Sequence, residues 1–151
     1  MSLLVGSAFL RFAVGIAFAT HGTQKTLGWF GGYGLAGTGG FFDSLGLRPG
    51  RLFALAAGAS EIAGGLLVAT GFLGAVGPAL ALATMVVAMV IVHAKNGFFA
   101  QNSGIELPFV YAAAILAYAF TGYGPFSLDA VFSITALSTE AATWSILAIA
   151  L

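Results

Sequence analysis

The sequence predicts an all-α membrane protein, a four-transmembrane-helix bundle followed by an interfacial C-terminal helix. Three observations carry this. Of the 151 residues, 60% are hydrophobic and 7% charged, where a soluble domain needs about a quarter charged for its surface. The apolar residues fall into four stretches, 3–23, 52–73, 75–95 and 105–123, each near the roughly 20 residues that carry a helix across a bilayer core. The breaks between them are marked by glycine clusters, the usual punctuation of helices. The whole chain, 1–151, reads as one domain.

The first stretch holds a lone charge, Arg11. A signal peptide is a poor reading, because Arg11 interrupts the apolar run and no basic residue precedes it, so this span is expected to remain in the mature protein. The connection over residues 28–50 is long and rich in glycine and aromatics. Phe41, Phe42, Leu45 and Leu47 around Asp43 predict a short interfacial helix there. Gly71 and Gly74 leave only a tight turn between the second and third stretches, which must form an antiparallel hairpin. Lys25, Arg48, Arg51 and Lys95 all fall beside the first and third connections, which the positive-inside rule places in the cytoplasm, with both termini outside. Residues 130–151 are diluted by Ser133, Ser138, Thr139, Glu140, Thr143 and Ser145, with Leu137, Ala141, Trp144, Ala148 and Leu151 on one stripe. A helix at the interface or against a partner is expected; a fifth span is the alternative.

Composition also excludes functions. A net charge of zero leaves no basic face for nucleic acid, and the absence of cysteine removes dithiol chemistry, Fe–S clusters and thiolate metal sites. Gly32, Gly34 and Gly37 match a dinucleotide fingerprint in spacing, but no strand precedes them, and a flexible loop is the better reading. A haem held between His21 and His93 is set aside, since those are the chain's two histidines and neither sits deep in a span. No metal or flavin motif is present.

What remains is polar and concentrated. Arg11 lies ten residues before His21, and Glu61 ten after Arg51, so each sits about 15 Å of helix rise from the basic edge. The two are expected to meet at the midplane as a pair, either functional or simply fixing register. Ala54, Ala57, Gly58, Glu61, Gly64, Gly65 and Val68 form a small-residue face suited to close helix approach. A second group gathers at the basic edge: His21, Gln24, Lys25, His93, Lys95, Asn96 and Glu106. Snorkelling to headgroups accounts for Lys25 and Lys95. It accounts less well for His21, His93 and Glu106, where imidazole beside carboxylate suits proton relay.

The run His21-Gly22-Thr23-Gln24-Lys25, Glu61 with Gly64-Gly65-Leu66-Leu67 and Gly71, His93 with Asn96-Gly97-Phe98-Phe99, Gly104-Ile105-Glu106, Gly122-Tyr123-Gly124 and Ser127-Leu128-Asp129 together resemble the DoxX family of small bacterial membrane proteins. The resemblance covers roughly residues 3–129. It implies a four-helix bundle in the bacterial inner membrane, linked to thiosulfate:quinone oxidoreductase, to terminal quinol oxidase subunits and to membrane oxidoreductase complexes for oxidative stress. By motif position Arg11, His21, Lys25, Glu61, His93 and Glu106 match the family's polar set. The expectation that follows is a quinone-interacting membrane subunit of a redox assembly. His21, His93 and Glu106 would hydrogen-bond the quinone and carry protons, while Arg11, Phe18, Lys25, Trp29 and Glu61 would bind it. Electrons would come from a protein partner, with membrane lipids as the other contact. The alternatives are a non-catalytic scaffold or accessory subunit, and a small transporter or proton pathway through Arg11 and Glu61.

Overall fold

A computed structural model describes residues 2–151, whose regular elements are all helices, with no strand among the described residues. α1 (Ser2–Thr26) and α3 (Gly50–Thr70) are each long and apolar enough to cross a membrane, as is the continuous helix Val76–Asn96, which begins as α4 (Val76–Val87). α5 (Glu106–Thr121) is the shorter fourth helix of the bundle. α2 (Gly34–Ser44) lies in the first connection and buries Thr38, Gly39 and Phe42 against α1 and α3, so the expected short helix forms there. α6 (Leu128–Val131) and α7 (Glu140–Ala150) follow the bundle. This is an all-α membrane protein, with helix boundaries close to those that hydropathy predicts.

Glycine decides how the two central helices meet. A Cβ on Gly15 would lie 2.5 Å from the Gly65 carbonyl oxygen, and one on Gly65 would lie 2.5 Å from that of Gly15. Gly22 meets Gly58 in the same way. With no side chain between them, the backbones of α1 and α3 touch, the arrangement that packs helices where lipid supplies no hydrophobic drive. These contacts place Gly22 beside Gly58 and Gly15 beside Gly65 in an antiparallel pair. Around them Phe18, Leu82, Met85, Ile115 and Leu147 form the apolar core. Leu3, Phe9, Phe12, Leu52, Leu66, Val90, Phe109 and Phe120 point outward, where lipid rather than water suits them.

At one end, the hairpin between α3 and α4 turns at Gly71, whose φ of 66° closes α3. Asp129 holds this turn, its two oxygens accepting the backbone N–H groups of Leu73 at 2.8 Å and Gly74 at 2.7 Å. Tyr123 donates its hydroxyl to the Gly74 carbonyl at 2.8 Å. α7 starts near this turn and packs along α4 and α5, with Thr143 donating to the Ala119 carbonyl at 3.4 Å and Trp144 beside Phe120. Its 11 residues cover about 16 Å, too short for a fifth crossing. The face it turns to the bundle is that of Thr143, Ile146, Leu147 and Ala150, whereas Ala141, Trp144, Ala148 and Leu151 of the expected stripe stay exposed.

Replacing Gly65 by Val should cost about 1–3 kcal/mol by forcing α1 and α3 apart. Gly6→Val, where a new side chain meets nothing within 4 Å, should leave the melting temperature in detergent unchanged. Equal melting of the two variants would contradict the close packing.

Candidate functional site

The register of α1 and α3 decides which charges meet. Glu61 comes level with the second half of α1, and Arg11 comes level with Gly71, roughly 15 Å further along the bundle by helix rise. The expected Arg11–Glu61 pair therefore does not form. Glu61 pairs with Lys25 through its Oε1. Side chains on a helix lean toward its N-terminus. In an antiparallel pair Lys25 leans into the bundle and Glu61 leans back toward it, so two residues a turn apart in depth close the gap. Lys25 does not snorkel outward.

Arg11 has a separate role at the opposite end. It is 4% exposed and donates to the carbonyls of Phe126 at 2.7 Å and Tyr123 at 3.4 Å, with its guanidinium 5.4 Å from the centre of the Tyr123 ring. It sits under Gly71 and just past the end of α5, where two helix C-termini present partial negative charge. Carbonyls, an aromatic face and helix dipoles thus replace the carboxylate expected for it.

At the Lys25 end, a cavity of about 1120 Å³ opens between α1, α2, α3 and the helix carrying His93. Lys25, Glu61, His21 and His93 all line it, among apolar walls that include Phe41, Phe42 and Phe53. Glu61 itself is 0% exposed. Its Oε2 has no partner, one of two such buried side-chain atoms among the described residues, the other being Arg11 Nε. A buried carboxylate with one cation and a free oxygen is costly unless something else supplies a hydrogen bond.

Both imidazoles are oriented by local bonds. The helix beyond α4 widens into a π segment at Ala88–His93 and tightens into a 3₁₀ turn at Ala94–Asn96, an interruption often found at functional sites. His93 Nδ1 lies 2.6 Å from the Ser103 carbonyl oxygen. A carbonyl only accepts, so Nδ1 carries the proton and Nε2 is left free. His21 reaches the same state by another route. Gln24 donates its amide to the Phe30 carbonyl at 3.1 Å, which turns its Oε1 toward His21 Nδ1, also at 3.1 Å. Each ring offers Nε2 as its unengaged nitrogen.

The DoxX family model matches residues 6–94, more than half of the chain. The chain belongs to the DoxX family. Neither a curated protein nor a solved structure matches it. In this DoxX protein the matched segment contains Lys25, Glu61, His21 and His93, whereas Glu106, Tyr123 and Asp129 lie beyond it.

Several residues expected at the site fall elsewhere. Glu106 accepts the Ala100 backbone N–H at 2.7 Å, bracing the loop before α5, and is not part of the cavity wall. Phe18 is a core residue packed on Tyr111, and Trp29 is exposed against Phe30. Sequence reasoning missed the roles of Ser103, Tyr123 and Asp129. Ser103 acts through its backbone, which no side-chain pattern reveals. Asp129 had a signal, a lone carboxylate shortly after the glycines of Gly122-Tyr123-Gly124.

Double-mutant cycles to alanine distinguish the pairings. Lys25 and Glu61 should couple by about 1–3 kcal/mol, and Arg11 and Glu61 should be additive within about 0.5 kcal/mol, measured by unfolding in mixed micelles. Reversed values would restore the Arg11–Glu61 pair.

Proposed function

We propose that this DoxX protein is a multi-pass protein of the bacterial inner membrane that binds a quinone as a subunit of a redox assembly. The observation that carries the reading is the cavity of about 1120 Å³, which gathers Lys25, Glu61, His21 and His93 on largely apolar walls. A concave apolar site with a few convergent polar groups is the usual form of a small-molecule site. A flat ring with an oxygen on each side and an apolar tail matches such walls: Phe41, Phe42 and Phe53 suit the ring, Lys25 suits a carbonyl oxygen as a donor, and the two imidazoles suit a hydroxyl as acceptors. A bound quinone supplies two-electron, two-proton chemistry, with the electrons delivered by a protein partner. The chain's own part is to seat the ring and to hold or pass protons at His21 Nε2, His93 Nε2 and the Glu61 carboxylate. A purely structural scaffold gives no reason for this open, polar-lined space at the meeting point of four elements.

Titration of the purified protein in nanodiscs with a short-chain quinone and with its quinol, read by calorimetry, tests the reading. His93→Ala should weaken quinol binding about tenfold, the loss of about 1.4 kcal/mol expected for one hydrogen bond. Glu140→Gln, exposed on α7, should change nothing. Absence of binding to the unmodified protein would leave the accessory-subunit reading as the better one.

The cavity end is assigned to the cytoplasm, on the strength of Lys25, Arg48, Arg51 and Lys95. The chain has no native cysteine, so single substitutions report cleanly. Arg48→Cys should react with an impermeant thiol reagent only in inverted vesicles, and Pro125→Cys only in right-side-out spheroplasts. The opposite pattern would invert the topology.

A further inference from the structure

We infer that the cavity selects the reduced, dihydroxy form of its aromatic ligand over the dione, and that Glu61 makes the selection. The inference rests on the quinone-binding reading and adds which redox form is held. Glu61 is 0% exposed and lines the cavity, yet Lys25 is its single hydrogen-bond partner and Oε2 has none. An ionised carboxylate has about four acceptor positions and no donor. Rotation about its terminal bond, a soft torsion, presents either oxygen to the cavity. What this buried group lacks is a donor. A ligand hydroxyl supplies one, in the charge-assisted class of hydrogen bond. A ligand carbonyl at the same place would set acceptor against acceptor.

The neighbouring groups point the same way. With Nδ1 of His93 donating to Ser103 and Nδ1 of His21 donating to Gln24, the neutral rings present Nε2 as an acceptor. The opposing donors on the wall are Lys25, whose side chain is 29% exposed, and Lys95, which is exposed, so their N–H groups have water to turn to, while the amides of Asn96 and Gln24 donate to the Ser103 and Phe30 carbonyls. The unmet demand that water does not reach is that of Glu61 Oε2, for hydrogen-bond donation by the ligand. A site that satisfies a buried polar group with one form of a ligand rejects the form that leaves it unpaired.

The test compares three ligands of equal tail length on the unmodified protein in nanodiscs under anaerobic conditions: a decyl quinol, the corresponding quinone, and the quinol dimethyl ether. The quinol should bind at least tenfold more tightly than either of the others, about 1.4 kcal/mol. In Glu61→Gln, whose amide can donate as well as accept, the quinol's advantage should fall below threefold; the ligand comparison on the native protein decides the matter alone if that variant does not fold. Equal or tighter binding of the quinone, or an ether that binds as well as the quinol, overturns the selection by Glu61 and leaves the quinone-site reading standing. Failure of quinol and quinone alike to bind overturns both.

Discussion

The backbone contact between α1 and α3 governs everything else in this protein. Gly15 on Gly65 and Gly22 on Gly58 leave no room for even a methyl group, so the two helices cannot slide without a clash. Packing of this kind is the main source of specificity between helices in lipid. Because the register is set by glycine and not by charge, the ionisable residues must take whatever partners the register brings. Lys25 receives Glu61, and Arg11 receives the hairpin turn.

Those two placements show two ways to keep a charge inside an apolar bundle. Arg11 is held by the carbonyls of Tyr123 and Phe126, the Tyr123 ring and the ends of α3 and α5. Its surroundings are closed, and with Asp129 on the backbone of Leu73 and Gly74 they tie α1, the hairpin and the C-terminal segment together. This is a structural clamp. Glu61 is held by one lysine and left with a free oxygen on a cavity wall. Each end leaves one buried atom without a partner, Arg11 Nε and Glu61 Oε2, but only the second belongs to the cavity wall, where a ligand can reach it. The contrast separates the two ends of the bundle by role.

The fold was largely legible in the sequence, because span length and hydropathy answer to bilayer thickness, a one-dimensional constraint. The short helix at α2 and the tight hairpin at Gly71 could be read for similar local reasons. Register could not. Periodicity tells which face of a helix is small or polar, yet it is silent about how far one helix is shifted along another. Counting ten residues from His21 and ten from Arg51 treated those two as level, whereas α1 runs on to Thr26 and the glycine contacts set a different offset. Of the candidate site residues, His21, Lys25, Glu61 and His93 line one cavity. Glu106 and Arg11 were drawn away by backbone partners, Ala100 for the first and Tyr123 and Phe126 for the second. Backbone groups are available at every position, so composition cannot announce such partners. The C-terminal helix was hard to place for a related reason, since its polar residues diluted the hydropathy while Thr143 found the Ala119 carbonyl inside the bundle.

The central claim is that Lys25, and not Arg11, neutralises Glu61 at the cavity wall. Rotational-echo solid-state NMR on the unmodified protein in lipid bilayers reads this directly, with ¹⁵N in the lysine side chains or arginine guanidinium groups and ¹³C in the glutamate carboxyls. The account predicts strong dephasing between a lysine Nζ and a glutamate carboxyl, at the spacing of an ion pair within about 4 Å. It predicts none between any arginine and a glutamate. Coupling of arginine to a glutamate carboxyl, with lysine silent, would contradict it.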